Sequence, residues 1–75
     1  MSKAKPVHTV PHGDGWANRR EGSDRVAKVF PTKQQAQEAG RNTARREETE
    51  HVVHRQDGTI GEKNSYGSDP NPPKG

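Results

Sequence analysis

The four histidines are the side chains of this 75-residue sequence best suited to bind a metal ion. His8 and His12 are four residues apart, and His51 and His54 are three apart. Zinc needs three or four converging ligands, usually with cysteine among them, and the sequence contains no cysteine. Because residues three apart on a strand point to opposite faces, His51 and His54 cannot converge. The spacing therefore predicts surface histidines and no metal site.

A second group of polar residues, His12, Asp14, Ser23 and Asp24, could be considered for catalysis. Their order matches no nucleophile elbow, phosphate-binding loop or paired-carboxylate spacing. A domain of this size also has little depth for a closed pocket. We therefore predict that the protein is not an enzyme, and we expect no catalytic residue, no cofactor and no small-molecule substrate.

The basic residues offer a third kind of chemistry, the binding of nucleic-acid phosphates. Arginine-rich strands or helices can follow a phosphate backbone, and Trp16 or Tyr66 could stack on a base. Acidic residues are interleaved with the basic ones, which is typical of a mixed, solvated surface. We keep nucleic-acid binding as the alternative function. The residues that would carry it are Arg19, Arg20, Arg25 and Lys28 on predicted strands, and Arg41, Arg45 and Arg46 on a predicted helix.

The composition predicts one small domain with a thin core. Leu is absent, and Val, Ile and Phe together number eight. The formal net charge is +3, and its excess is N-terminal, since residues 1–31 carry six Lys or Arg against three Asp or Glu. A thin core leaves a small margin of stability. Association with a partner, or with a second copy, would add burial.

The sequence gives no sign of a membrane segment. No run of 7–15 apolar residues follows the basic N-terminus, so we expect no signal peptide and no membrane span. The lack of cysteine suits a reducing compartment. These features predict a cytoplasmic location.

Five short strands and one helix must position the residues above. The strands are predicted at 7–11, 16–20, 25–30, 50–55 and 60–63, separated by Gly- and Asp-containing turns. The helix is predicted from Thr32, which caps it in a capping box with Gln35. Its buried face follows helical periodicity. That face comprises Ala36, Ala39, Gly40, Thr43 and Ala44.

The order β-β-β-α-β-β predicts an α+β fold, in which an antiparallel sheet carries one helix on one face in two layers. Within this sheet we expect Trp16 to be a core residue, because it is the largest apolar group. Residues 1–6 are predicted to be a flexible basic arm, 7–63 the single domain, and 64–75 a tail rich in Pro and Gly.

Several short motifs follow one another along the chain, and their order is more specific than any one of them. They are Gly13-Asp14-Gly15-Trp16-Ala17, Arg19-Arg20-Glu21-Gly22, Thr32-Lys33, Val52-Val53-His54, Asp57-Gly58 with Ile60, and Ser65-Tyr66-Gly67 with Asp69-Pro70 and Pro72-Pro73. Together they resemble the small bacterial family called domain of unknown function 2188, from about Val7 to Gly75. The resemblance implies a small bacterial cytoplasmic protein with a helix on an antiparallel sheet. It implies no activity.

The chain departs from the pattern of that family at positions where an aliphatic residue is expected. These positions hold Asn18, Gln37, Thr43 and His51, and Glu48 stands where a Gly is expected to end the helix. We expect these departures to weaken the core. The sequence therefore favours a small non-catalytic interaction module whose partner is an unknown protein or a second copy of the chain.

Overall fold

One sheet of five strands, with one helix packed against it, makes up the computed structural model, which describes residues 5–23 and 25–66. The elements are β1 (Val7–His12), β2 (Gly15–Arg20), β3 (Val26–Phe30), α1 (Lys33–Glu47), β4 (Glu50–His54) and β5 (Ile60–Ser65). They follow the predicted order, and β5 extends two residues into the predicted tail. Residues 1–4 of the predicted arm and 67–75 of the tail lie outside the described residues.

The sheet is mixed, so the prediction of an antiparallel sheet was wrong for one pair of strands. The strand order is β3-β2-β1-β4-β5, and β1 pairs with β4 in parallel. The other three pairs are antiparallel. Because β1 and β3 run in the same direction and α1 carries the chain back, β4 starts from the same end of the sheet as β1. A helical crossover of this kind produces a parallel pair.

The helix begins and ends at capping residues, of which the N-cap can be recognised in the sequence. Thr32 is the N-cap, and its hydroxyl accepts a hydrogen bond from the Gln35 amide at 3.2 Å. Glu48 ends the helix in the left-handed conformation, with φ 56° and ψ 51°. Ala36, Gly40 and Ala44 are buried, as the periodicity predicts. In the described part of the chain, no helix is long and apolar enough to cross a membrane.

The two faces of the sheet have different surroundings. We call the face against α1 the helix face; it carries Val7, Thr9, Trp16, Asn18, His51 and Val53, all of them buried. Trp16 is thus a core residue, as predicted. We call the opposite face the outer face. By strand register it carries His8, Val10, Ala17, Arg19, Val29, Val52, His54, Ile60 and Lys63.

Candidate functional site

Three polar side chains meet on the helix face, beneath α1. The Thr9 hydroxyl donates to Oδ1 of Asn18 at 2.5 Å, and its oxygen lies 2.7 Å from Nε2 of His51. Nδ2 of Asn18 donates to the carbonyl of Ala36 at 2.9 Å, which joins the cluster to the helix. Thr9, Asn18 and His51 are all buried. They form an interior network, which we call the buried cluster.

The hydrogen bonds of the buried cluster define the protonation of His51. The proton of the Thr9 hydroxyl is directed at Asn18, so the Thr9 oxygen must accept from His51, and Nε2 of His51 carries the hydrogen. Burial lowers the pKa of His51, the Glu62 carboxylate opposes this, and Arg41 adds to it. The neutral imidazole with hydrogen on Nε2 is therefore the form that fits the cluster at neutral pH.

Gly40 provides the space that the buried cluster occupies. A Cβ on this residue would lie 2.7 Å from Nε2 of His51, 2.8 Å from Oδ1 of Asn18 and 2.9 Å from the Thr9 hydroxyl oxygen. The polar groups and the glycine thus fit one another. Asn18 and His51, which we expected to weaken the core, are hydrogen-bonded through Thr9. Buried polar groups with partners cost far less than unpaired ones.

A second pair of polar contacts lies on the outer face, where two histidine rings meet. Nδ1 of His8 lies 2.8 Å from Nε2 of His54, and the ring centroids are 5.1 Å apart. The remaining nitrogen of each ring also has a partner. Nε2 of His8 lies 3.0 Å from Oε1 of Glu21, and Nδ1 of His54 lies 3.0 Å from the carbonyl of Gly58. We call His8 and His54 the histidine pair.

The partners of the histidine pair determine which ring nitrogens donate. A carboxylate and a carbonyl can only accept, so Nε2 of His8 and Nδ1 of His54 are the donors in these two contacts. A hydrogen bond between the two rings needs a hydrogen on one of the facing nitrogens as well. The hydrogen bond from His8 is the main cause that lowers the pKa of Glu21.

An open groove of about 450 Å³ on the outer face is lined by His54 of the histidine pair and by His12. His54 lines this groove together with Val10, Arg19 and Asp57. Hydrogen bonds from the amide and hydroxyl of Thr59 lower the pKa of Asp57. Across residues 5–23 and 25–66, no three His, Cys, Asp or Glu residues come together as a group that could hold a metal ion. The imidazoles of His12 and His54 thus reach this groove.

The basic residues predicted on the strands are divided between the two faces of the sheet. Arg19 lies on the outer face and donates to the carbonyl of Ser23 at 3.1 Å. Arg20 lies on the helix face, where NH2 is 2.5 Å from a carboxylate oxygen of Glu47. Lys28 is also on that side, next to β2, with Nζ 5.4 Å from the ring centroid of Phe30. The predicted strand residues therefore do not share one face.

The basic residues predicted on the helix lie at or near its exposed side. Arg41 and Arg45 are exposed, and NH2 of Arg46 lies 3.7 Å from Glu47. Arg25 is exposed just before β3. The acidic Glu47 thus lies between Arg20 of the sheet and Arg46 of the helix. The arrangement does not connect the helix arginines to the strand arginines through an uninterrupted basic surface.

The sequence prediction correctly placed His51 and His54 on opposite faces, but it missed their partners. His8 and His54 are 46 positions apart, and Thr9 and His51 are 42 apart. Both contacts depend on β1 lying beside β4, and no local signal specifies this pairing. Thr9 could have been noticed as the residue that shares a strand face with Val7.

Comparison with known proteins gives two matches. The family model described as "Uncharacterized protein conserved in bacteria (DUF2188)" matches residues 7–66. "Uncharacterized protein YdaT" of Bacillus subtilis (strain 168) is 38% identical over 68 residues, which cover 91% of this chain and 44% of that protein. The chain thus spans less than half the length of this relative. No solved structure matches the chain.

Proposed function

Because the chain belongs to the family called domain of unknown function 2188, as its motifs indicated, and this family is uncharacterised, we propose a function from the chain's own surface. It is a small non-catalytic interaction module that associates through its outer face. The observation that carries the proposal is the exposure of two large aliphatic side chains on that face. Val29 is 48% exposed and Ile60 is 57% exposed. Exposed aliphatic groups on one sheet face favour association.

The aliphatic side chains are aligned across neighbouring strands. Val10, Ala17 and Val29 are cross-strand neighbours on β1, β2 and β3. Ile60 is opposite His54 at the other edge of the sheet. An apolar row therefore extends from β3 to β1, and Ile60 on β5 is a separate exposed aliphatic residue beside His54. A second sheet packed face to face would cover such a row.

A second copy of the chain is the partner that the charges of this face fit best. The face carries positive groups, among them Arg19 and Lys63. Negative groups lie beside them, since Glu21 contacts His8 and Glu50 lies 3.5 Å from Lys63. A two-fold interface brings the same surface of both copies together, so it needs charges of both signs on one face. This face has both.

The size of the face indicates weak association. Five strands about 4.8 Å apart, with about five residues of about 3.3 Å each, give a projected area on the order of 400 Å². A standard interface buries about 800 Å² of each partner. Self-association through this face alone should therefore fall in the micromolar to millimolar range. It remains compatible with the thin core, which gains burial from the partner.

Nucleic-acid binding remains the alternative function, and the placement of the charges favours it less. The basic residues lie on separate surfaces, and Glu47 lies between two of them. A phosphate backbone is followed best by a continuous basic surface.

We also propose that the module works without catalysis. The absence of cysteine supports a reducing, cytoplasmic setting.

Sedimentation velocity and light scattering from about 10 µM to about 500 µM test the proposed association. We expect the average mass to rise towards that of two chains as the concentration increases. Val29→Asp and Ile60→Asp should each suppress this rise, because they place a charge at the two exposed aliphatic positions of the outer face. Asn42→Asp adds the same charge on the exposed side of the helix and serves as the control. A single-chain mass at every concentration, or a dimer that both outer-face variants retain, would overturn the proposal.

A further inference from the structure

Two imidazole nitrogens that have no other hydrogen-bond partner among residues 5–23 and 25–66 face each other on the outer face. Nδ1 of His8 and Nε2 of His54 are 2.8 Å apart. We propose that these two nitrogens form a binding site for one divalent transition-metal ion. The site is contained in a single chain, and it does not depend on the proposed association.

The other nitrogen of each ring, Nε2 of His8 and Nδ1 of His54, supports this proposal independently. A histidine that binds a metal almost always donates its other ring N–H to a carboxylate, a backbone carbonyl or water. Here His8 has the carboxylate of Glu21 at 3.0 Å, and His54 has the carbonyl of Gly58 at 3.0 Å. Both rings therefore have the orienting partner that metal ligands have, and Nδ1 of His8 and Nε2 of His54 are the nitrogens that would bind the ion.

The strands hold the two rings in place. His8 is in β1 and His54 is in β4, and each of these strands has a hydrogen-bonded strand on both sides. Two nitrogens at about 2.05 Å from a tetrahedral ion are about 3.3 Å apart. The present separation of 2.8 Å therefore has to widen by about 0.5 Å, which small rotations of the two rings provide.

The ion takes the place of the hydrogen bond between the two rings. Both facing nitrogens must be free of hydrogen to bind it, so a hydrogen held between them leaves as a proton when the ion enters. Glu21 favours the added charge, and Arg19, the cross-strand neighbour of His8, opposes it. Lys63 also lies on this face, but Glu50 at 3.5 Å offsets its charge. Water molecules complete the coordination.

The ligand chemistry determines the class of ion. Imidazole nitrogens suit zinc, nickel and copper, whereas magnesium and calcium prefer oxygen ligands. Two protein ligands bind more weakly than the four of a structural zinc site. We therefore expect nickel, copper and zinc to bind with moderate affinity and magnesium not to bind.

Isothermal titration calorimetry of the tag-free chain tests the site. Nickel chloride is the titrant, and magnesium chloride is the negative control. We expect saturable nickel binding at about one ion per chain. His8→Gln and His54→Gln should each lower the affinity at least about tenfold, and Glu21→Gln about tenfold, since removal of such an orienting partner typically costs 10–100-fold. His12→Gln removes the other histidine of the groove, which does not contact His8 or His54, and Glu38→Gln removes a carboxylate of the helix; both should leave the affinity unchanged.

Electron paramagnetic resonance of the unaltered chain with one equivalent of Cu²⁺ tests the same site without any substitution. We expect hyperfine coupling from two imidazole nitrogens. The proposal is overturned if nickel binding is not saturable, if His12→Gln lowers the affinity as much as His8→Gln and His54→Gln do, or if Cu²⁺ has only oxygen ligands.

Discussion

Gly40 of the helix and His51 of β4 fit each other so closely that a Cβ on residue 40 would lie 2.7 Å from Nε2 of His51. The neighbouring contacts with Asn18 and Thr9 are as close. The helix can therefore cross the sheet over the buried cluster only where it has no side chain. This close fit predicts the effects of substitutions at Gly40 and Thr9.

Gly40→Ala should lower the free energy of unfolding by about 1–2 kcal/mol. An extra methyl in a packed interior costs about 1–3 kcal/mol, and this exceeds the helix propensity of up to about 1 kcal/mol that Ala gains over Gly. Urea unfolding monitored by circular dichroism measures the change. Gly61→Ala is the control, because its Cβ meets the flexible side chain of Arg55. An equally or more stable Gly40→Ala would contradict the close fit.

Thr9→Val should destabilise the protein by about 2–4 kcal/mol. The substitution keeps the shape but leaves Oδ1 of Asn18 without its donor and Nε2 of His51 without its acceptor, and each unsatisfied buried group costs about 1–3 kcal/mol. The same urea unfolding measures it. Thr43→Val removes a half-buried hydroxyl outside the buried cluster and should change stability by less than about 0.5 kcal/mol. Similar effects of both substitutions would argue against the cluster.

His51 should make the protein less stable as the pH falls below about 6.5. Its pKa is lowered in the folded state by burial, so the unfolded chain binds the proton more readily. Its contribution is fully present above the unfolded pKa of about 6.5 and is lost as the pH falls towards the folded pKa, with a slope of at most about 1.4 kcal/mol per pH unit. Urea unfolding between about pH 8 and about pH 5 measures it.

His51→Gln is the variant that isolates this effect, because the Gln amide can still donate to Thr9 while it does not titrate. The variant should be less sensitive to pH across this range than the unaltered protein. His12→Gln, which changes an exposed histidine, should keep the original pH dependence. Equal slopes in the His51→Gln variant and the unaltered protein would show that His51 is not the group responsible.

Glu48→Gly should raise the free energy of unfolding by about 1 kcal/mol. Glu48 has a positive φ of 56° at the end of the helix, a conformation that costs a residue with a Cβ about 1–2 kcal/mol. Its negative charge also opposes the helix dipole. Thermal unfolding measures the gain. Glu38→Gly, at an exposed helical position, should instead cost about 1 kcal/mol, and stabilisation by both variants would point to charge alone.

Nucleic-acid binding, if present, should have a weak dependence on salt. The logarithm of the binding constant falls by about 0.9 for each phosphate contact per unit of log salt. Arg41 and Arg45 are one helical turn apart and can reach about two phosphates, which predicts a slope near −2. Fluorescence anisotropy with single-stranded and duplex DNA and RNA at several salt concentrations measures it. A slope near −6 would mean that all seven predicted residues contact phosphates.

Local signals were sufficient to predict the elements of the fold. Thr32 and Gln35 specify the start of the helix, and Asp57 with Gly58 specifies the turn before β5. The strand and helix bounds agree with the structure to within two residues. The helix face was also predictable, because Ala36, Gly40 and Ala44 recur with the helical period.

The candidate site was not predictable, because it depends on strands that are far apart in the sequence. His8 and His54, like Thr9 and His51, meet only when β4 lies parallel to β1. Asn18 and His51 looked unfavourable one at a time, since nothing in either local stretch reveals that Thr9 bridges them. The separation of Arg19 from Arg20, in contrast, was predictable, because consecutive residues on a strand point to opposite faces.

The parallel pairing of β1 with β4 also has a kinetic consequence. It joins two pieces that can each form from neighbours in the sequence, the meander of β1, β2 and β3 and the hairpin of β4 and β5. The chain between β1 and β4 must close a loop of some 37 residues before these two strands can pair. Closure of a long loop slows folding. The buried cluster and the histidine pair each join residues of both strands. We therefore expect them to form late in folding.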